Sequence, residues 1–119
     1  MTINDLITQL HKAPDSIQFT DVMQVISQSY SFAPTSFSNG TLQNSEGSNE
    51  GSCKIFYFAR LHKFTKAETL SLFGSYYRDD VLTNPTGTDH GNIRNFMLTG
   101  SQGLNFDRPA LANLAKQTQ

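Results

Sequence analysis

The chain has 119 residues, a formal net charge of −1, one cysteine, nine phenylalanines, four tyrosines and no tryptophan. This balance leaves no electrostatic footprint for nucleic acid or an anionic membrane, a lone cysteine excludes an internal disulfide, and no apolar run approaches the ~18 residues of a membrane span. The length predicts one domain over residues 1–119, able to bury a core without disulfide or metal.

The opening MTINDLITQL lacks the basic region, apolar block and small-residue cleavage site of a secretory signal, so the expectation is a cytoplasmic protein. Ile3, Leu6, Ile7 and Leu10 recur at helical spacing and predict a helix over 3–11, stopped by Pro14. Phe19, Val22, Met23, Ile26 and Tyr30 form the stripe of a second helix over 19–30, with Asp21 favouring its first turn. Residues 33–51 read as one long Gly/Ser/Asn-rich loop. Asn39-Gly40, between Phe37 and Leu42, is a turn signal that leaves room for a minimal hairpin, although the run is polar for a strand. A loop this long in a compact domain is more often functional than filler.

From Ser52 to Lys63 the apolar residues cover more than one stripe. Ile55, Phe58, Ala59 and His62 share a face, with Phe56 and Leu61 at its edges, which predicts a central helix touched from several sides. Thr65 and Glu68 make a capping box with Phe64 as its staple. The helix they start is read through Gly74 to Tyr77, with the glycine serving close packing at a cost of about 1 kcal/mol against alanine. After Pro85 and Gly87, Thr88 or Asp89 caps a helix with Ile93, Phe96 and Met97 inward and Gly100 as its stop. Pro109 then opens a short docking helix bearing Ala110, Leu111 and Leu114. The expected class is mainly α: about six helices in a single domain, with one long loop.

The chemistry-bearing candidates gather at two predicted helix starts. Cys53 stands where the positive end of a helix dipole favours thiolate. A catalytic thiol needs a base, and His90 is the best placed, in a first helical turn after a polar loop, with Asp89 or Glu50 as its orienter. His62 lies on the apolar face of the central helix, where a histidine is usually satisfied by a neighbour. Asn49, Asn92 and Arg94 are polar groups around the same starts, suited to binding or to structural hydrogen bonds, and Arg94 is a pairing candidate for Glu50 or Asp89 that would tie the loop to the helix. Glu50, Cys53, Asp89 and His90 are metal-ligating types, but no CxxC, HxxxH or DxDxDG spacing is present, so no metal is expected. The free N–H groups of NEGSCK suit an anion, against which Glu46 and Glu50 stand.

The blocks YSFAPTSFSNG, NEGSCKIFYFARLH, TLSLFGSYYRDDVL and GTDHGNIRNFMLTG, in that order over about residues 17–111, resemble the HopJ type III effector family of small bacterial proteins. The resemblance implies delivery of some members into plant cells by type III secretion, and it brings no reaction, cofactor or catalytic residue. The N-terminus, with Asp5 early and no serine in MTINDLITQLHK, differs from the Ser-rich, acid-poor start typical of such export, which suits residence in the bacterial cytoplasm as well as secretion. The reading is a small binding or regulatory module acting on a protein partner, a host protein or a secretion chaperone. The alternatives are a thiol-dependent enzyme using Cys53 with His90, and a small-ligand or metal binder at the same loop–helix junction.

Overall fold

The computed structural model describes residues 1–114. Five α-helices lie among them: α1 (Ile3–Lys12), α2 (Phe19–Ser29), α3 (Glu50–His62), α4 (Lys66–Ser71) and α5 (Gly91–Thr99). A π-helical turn spans Tyr76–Val81. Five short strands complete the fold: β1 (Tyr30–Phe32), β2 (Phe37–Asn39), β3 (Leu42–Asn44), β4 (Leu104–Phe106) and β5 (Leu111–Asn113). The fold is therefore mixed, a helical body with two small antiparallel sheets, rather than purely α. No described helix is long and apolar enough to cross a membrane.

The helix starts follow local chemistry. In α1 the Asp5 N–H donates to Thr2 Oγ1 at 3.1 Å, and Asp5 Oδ2 accepts from the Thr2 N–H at 2.9 Å. Thr65 and Glu68 repeat this box at α4, as expected. In both boxes the carboxylate is held below its ordinary pKa, chiefly by that backbone hydrogen bond.

Three expectations are corrected. The helix from Thr65 does not run through Gly74: α4 ends at Ser71, and Gly74 takes φ +61°. A Cβ there would meet the Phe19 backbone nitrogen at 2.8 Å, so the glycine turns the chain around the start of α2 rather than filling a helix interior. Pro109 does not open a helix over Ala110 and Leu111: Leu111–Asn113 pairs antiparallel with β1, with Phe32 opposite Leu111, and the expected helix beyond Leu114 lies outside the described residues. Tyr30 accordingly leaves α2 and begins β1. The run 33–51 is not one loop. Its centre is a β2–β3 hairpin turning at Gly40-Thr41, with Phe37 opposite Asn44 and also opposite Phe106 of β4.

The core sets phenylalanines among leucine, isoleucine and valine. Phe56 and Phe58 of α3 and Phe96 of α5 are fully buried. The Phe56 ring lies on Phe96 with centroids 4.9 Å apart, and Phe73 and Phe37 approach it at 5.4 and 6.3 Å. Burying such side chains stabilises the fold by about 1.5–3 kcal/mol each. Helix α3 is central, as its apolar girth predicts, but Leu61 at its edge is exposed. This packing fixes the beginnings of α3 and α5 side by side.

Candidate functional site

Helices α3 and α5 begin alike. Asn49 precedes α3 at φ 52°, ψ 45°, and His90 precedes α5 at φ 51°, ψ 50°. Both are left-handed, a conformation that asparagine and histidine visit more readily than most residues and that stores about 1–3 kcal/mol. Neither residue's side chain caps the helix it precedes. The first backbone bonds of the two helices run from Cys53 N–H to Asn49 O and from Arg94 N–H to His90 O. The N–H groups of residues 50–52 and 91–93 stand ahead of those bonds, the unsatisfied donors of an open helix start. The expected caps, Thr88 and Asp89, serve neither helix, because His90 occupies the N-cap position itself.

The two starts line one cleft of about 590 Å³. Asn49, Gly51 and Ser52 come from α3 and its approach, and His90, Gly91 and Asn92 from α5 and its approach. Phe19, Phe73 and Tyr76 supply aromatic walls. A Cβ on Gly51 would come within 2.9 Å of the Phe19 ring, so the glycine lets that ring lie against the helix start. Tyr76 packs edge-on to Phe19 at 5.1 Å and stacks obliquely beside His90 at 5.3 Å.

An asparagine network holds this arrangement from below. Asn92 Oδ1 accepts from Asn39 Nδ2 and from Asn44 Nδ2, both at 3.1 Å. Asn92 Nδ2 donates to Asn44 Oδ1 at 2.9 Å, and Asn49 Nδ2 donates to that same oxygen at 2.8 Å. The Asn39 amide also donates to the Asn92 carbonyl at 2.8 Å. Asn39, Asn44 and Asn92 are all buried. The hairpin thus fixes the turn before α3 to the first turn of α5, and the pairing specifies where both helices start.

The candidates divide between this cleft and other places. Asn49, His90 and Asn92 line it, and Glu50 is exposed as the first residue of α3. The His90 partner is Asp80, whose carboxylate meets Nε2 at 2.9 Å, whereas Asp89 stands 3.9 Å away. Asp89 instead pairs with Arg94 at 2.7 Å, and that guanidinium holds its carboxyl below the ordinary value. Arg94 also donates to the carbonyls of Asn84 and Asp89, tying the preceding loop to α5. His62 lies elsewhere, accepting from or donating to the Tyr30 hydroxyl at 2.8 Å and flanked by Phe58 and Phe64.

Cys53 is not among the cleft residues. It is buried in the core cluster at 1% exposure. Burial, reinforced by the Glu50 carboxylate and opposed by Lys54, pushes its pKa up to about 11, against the thiolate that the helix dipole would favour. Among the described residues no group of three His, Cys, Asp or Glu side chains converges as metal ligands would.

Sequence reasoning missed Phe19, Tyr76 and Asp80 as neighbours of His90, and Asn39 and Asn44 as the support beneath it. The signal for Tyr76 and Asp80 was the SYYRDD run, which reads equally as a charged helix end. The pairing of asparagines over a sequence separation of 48 or 53 residues leaves no local trace.

A family model described as HopJ type III effector protein matches residues 3–111. Among solved structures, the chain is similar to the crystal structure of a protein of unknown function, VPA0580, with 44% identity and a TM-score of 0.92. That similarity covers 95% of this chain and 94% of the other. No curated protein matches.

Proposed function

The chain belongs to the HopJ type III effector protein family, and from that premise we propose that it is a small protein-binding module whose cleft takes a carboxylate of its partner, on a side chain or at a chain end. Neither the family description nor the similar structure carries a specific activity. The observation that supports the reading is the convergence of two uncapped helix starts, each of at least nine residues, on one cleft. Open first-turn N–H groups and the positive ends of two dipoles favour an acceptor group with negative charge. The Phe19 and Tyr76 rings give an apolar wall for the body that carries it. Burial of the Cys53 thiol works against the electrostatics a nucleophile needs, so binding takes precedence over thiol catalysis. The family's name carries the further reading that the partner is a host protein met after secretion, or a chaperone met before it.

The test is an amide-resolved NMR titration of the whole chain with N-acetyl-phenylalanine and, separately, with its amide. The carboxylate is expected to shift the Gly51, Ser52, Gly91 and Asn92 amides, and the neutral amide is expected to leave them in place. Equal shifts with both compounds, or none with either at millimolar concentration, would sink the proposal.

A further inference from the structure

We infer that a second cleft, at the opposite end of α3, binds a small organic anion with an aromatic or branched aliphatic body. The cleft measures about 470 Å³ and shares no lining residue with the first. Its apolar side is the half-buried Phe64, with the buried Phe56, Phe96 and Leu104 close behind it. Its rim carries two cations, Arg60 and Lys63, and no aspartate or glutamate lines it. Among the described residues neither cation pairs with a carboxylate. The other polar groups, Thr69, Ser101 and Gln102, are uncharged.

The backbone keeps one of these cations at the rim. Lys63 follows α3 at φ 55°, ψ 41°, the left-handed position where glycine is the usual residue. The Phe64 N–H closes the helix behind it by donating to Ala59 O at 3.0 Å. Arg60 is steadied from the other side, its guanidinium 5.2 Å above the Phe106 ring and donating to Leu104 O at 3.4 Å. Unpaired positive charge over an aromatic floor is complementary to a ligand that is anionic at one end and apolar at the other. A carboxylate or sulfonate meets the Arg60 guanidinium and the Lys63 ammonium while its body lies over Phe64 and Leu104.

The probe is 8-anilinonaphthalene-1-sulfonate, followed by fluorescence and stoichiometry on the native chain. N-phenyl-1-naphthylamine, the same ring system without the sulfonate, is the control. The expected result is one probe molecule that depends on Arg60 and Lys63, beside any held at the first cleft, with the uncharged control binding there about tenfold or more weaker, the scale of one charge-assisted contact. Lys63→Gly relaxes the left-handed strain, so its melting temperature should hold or rise while its probe affinity falls; Arg60→Gln should weaken the probe without abolishing folding. Ser52→Asp, which closes the first cleft to anions, should leave in place the probe molecule that depends on Arg60 and Lys63. The inference is overturned if both cation variants bind the probe as the parent does, if the uncharged control binds equally, or if Ser52→Asp alone removes binding.

Discussion

The Tyr30 hydroxyl and His62 Nε2 lie 2.8 Å apart, joining the first residue of β1 to the last turn of α3. Burial opposes the charged form of each, raising the Tyr30 pKa and lowering that of His62. A neutral imidazole accepting the phenol proton satisfies both shifts. Because the folded-state pKa of His62 lies below its ordinary 6.5, the unfolded chain binds the extra proton first. Its contribution is full above that value and is lost as pH falls through the lower folded value. Urea unfolding at pH 7.5 and pH 5 should show the decline, and His62→Phe should flatten the part of it that belongs to this residue. Tyr30→Phe should cost about 1 kcal/mol at neutral pH, the worth of the hydrogen bond.

Cys53 should be silent toward iodoacetamide in the native chain at pH 8 and react on unfolding. Its folded-state pKa of about 11 is above the ordinary thiol value, so the linked stability is present below that ordinary value and is lost as pH rises through 11. His90→Ala should not change the labelling rate, because His90 bonds to Asp80 rather than to the thiol. Fast labelling of native protein that depends on His90 would restore thiol chemistry to the first cleft.

Asn92→Ala should be among the more damaging polar substitutions. It leaves the buried Asn44 amide without its acceptor, while the Asn39 amide keeps the Asn92 carbonyl, and should cost about 1–3 kcal/mol, measured by chemical unfolding. The loss should also release the turn before α3, visible as faster exchange of the Cys53 amide, which donates to Asn49 O.

Charge at the first cleft should move affinity and stability in opposite senses. Ser52→Asp puts a carboxylate in the first turn of α3, where it stabilises the helix by about 0.3–1 kcal/mol and competes with the bound anion. Glu50→Gln removes a repelling charge and should tighten N-acetyl-phenylalanine binding by about two- to fivefold. Calorimetry of the two variants reads both effects.

Gly74→Ala should destabilise by about 1–3 kcal/mol, since φ is +61° there and the new Cβ meets the Phe19 backbone at 2.8 Å. Gly91→Ala should be mild by comparison, as its Cβ would make ordinary contact with Leu42 at 3.5 Å.

The helices were legible where one face alone decided them. The Ile3, Leu6, Leu10 stripe specifies α1, and the Thr65-x-x-Glu68 box the start of α4, from neighbouring residues only. The hairpin was hidden because its inward alternation is carried partly by asparagine: Phe37, Asn39 and Asn44 are buried, and two of those three look like surface residues until their partner on α5 is known. Gly74 looked like a packed helix residue because positive φ leaves no mark in hydrophobic spacing. Leu111–Asn113 looked helical because Pro109 suits a helix start, while its true partner lies eighty residues earlier. The site was legible in part for the same reason. Asn49, His90 and Asn92 stood out as polar residues at helix starts, but the walls Phe19 and Tyr76 and the His90 partner Asp80 depend on packing.

The strand pairings also set an order for synthesis. β1, β2 and β3 are synthesised by residue 44, but β4 begins at residue 104 and β5 at 111. At ~5–20 residues per second, β1 and β2 wait roughly 3–16 s for the synthesis of their closing partners. During that wait Tyr30, Phe32 and Phe37 present open strand edges and uncovered rings, an interval in which another protein can hold the nascent chain before its final strands close it.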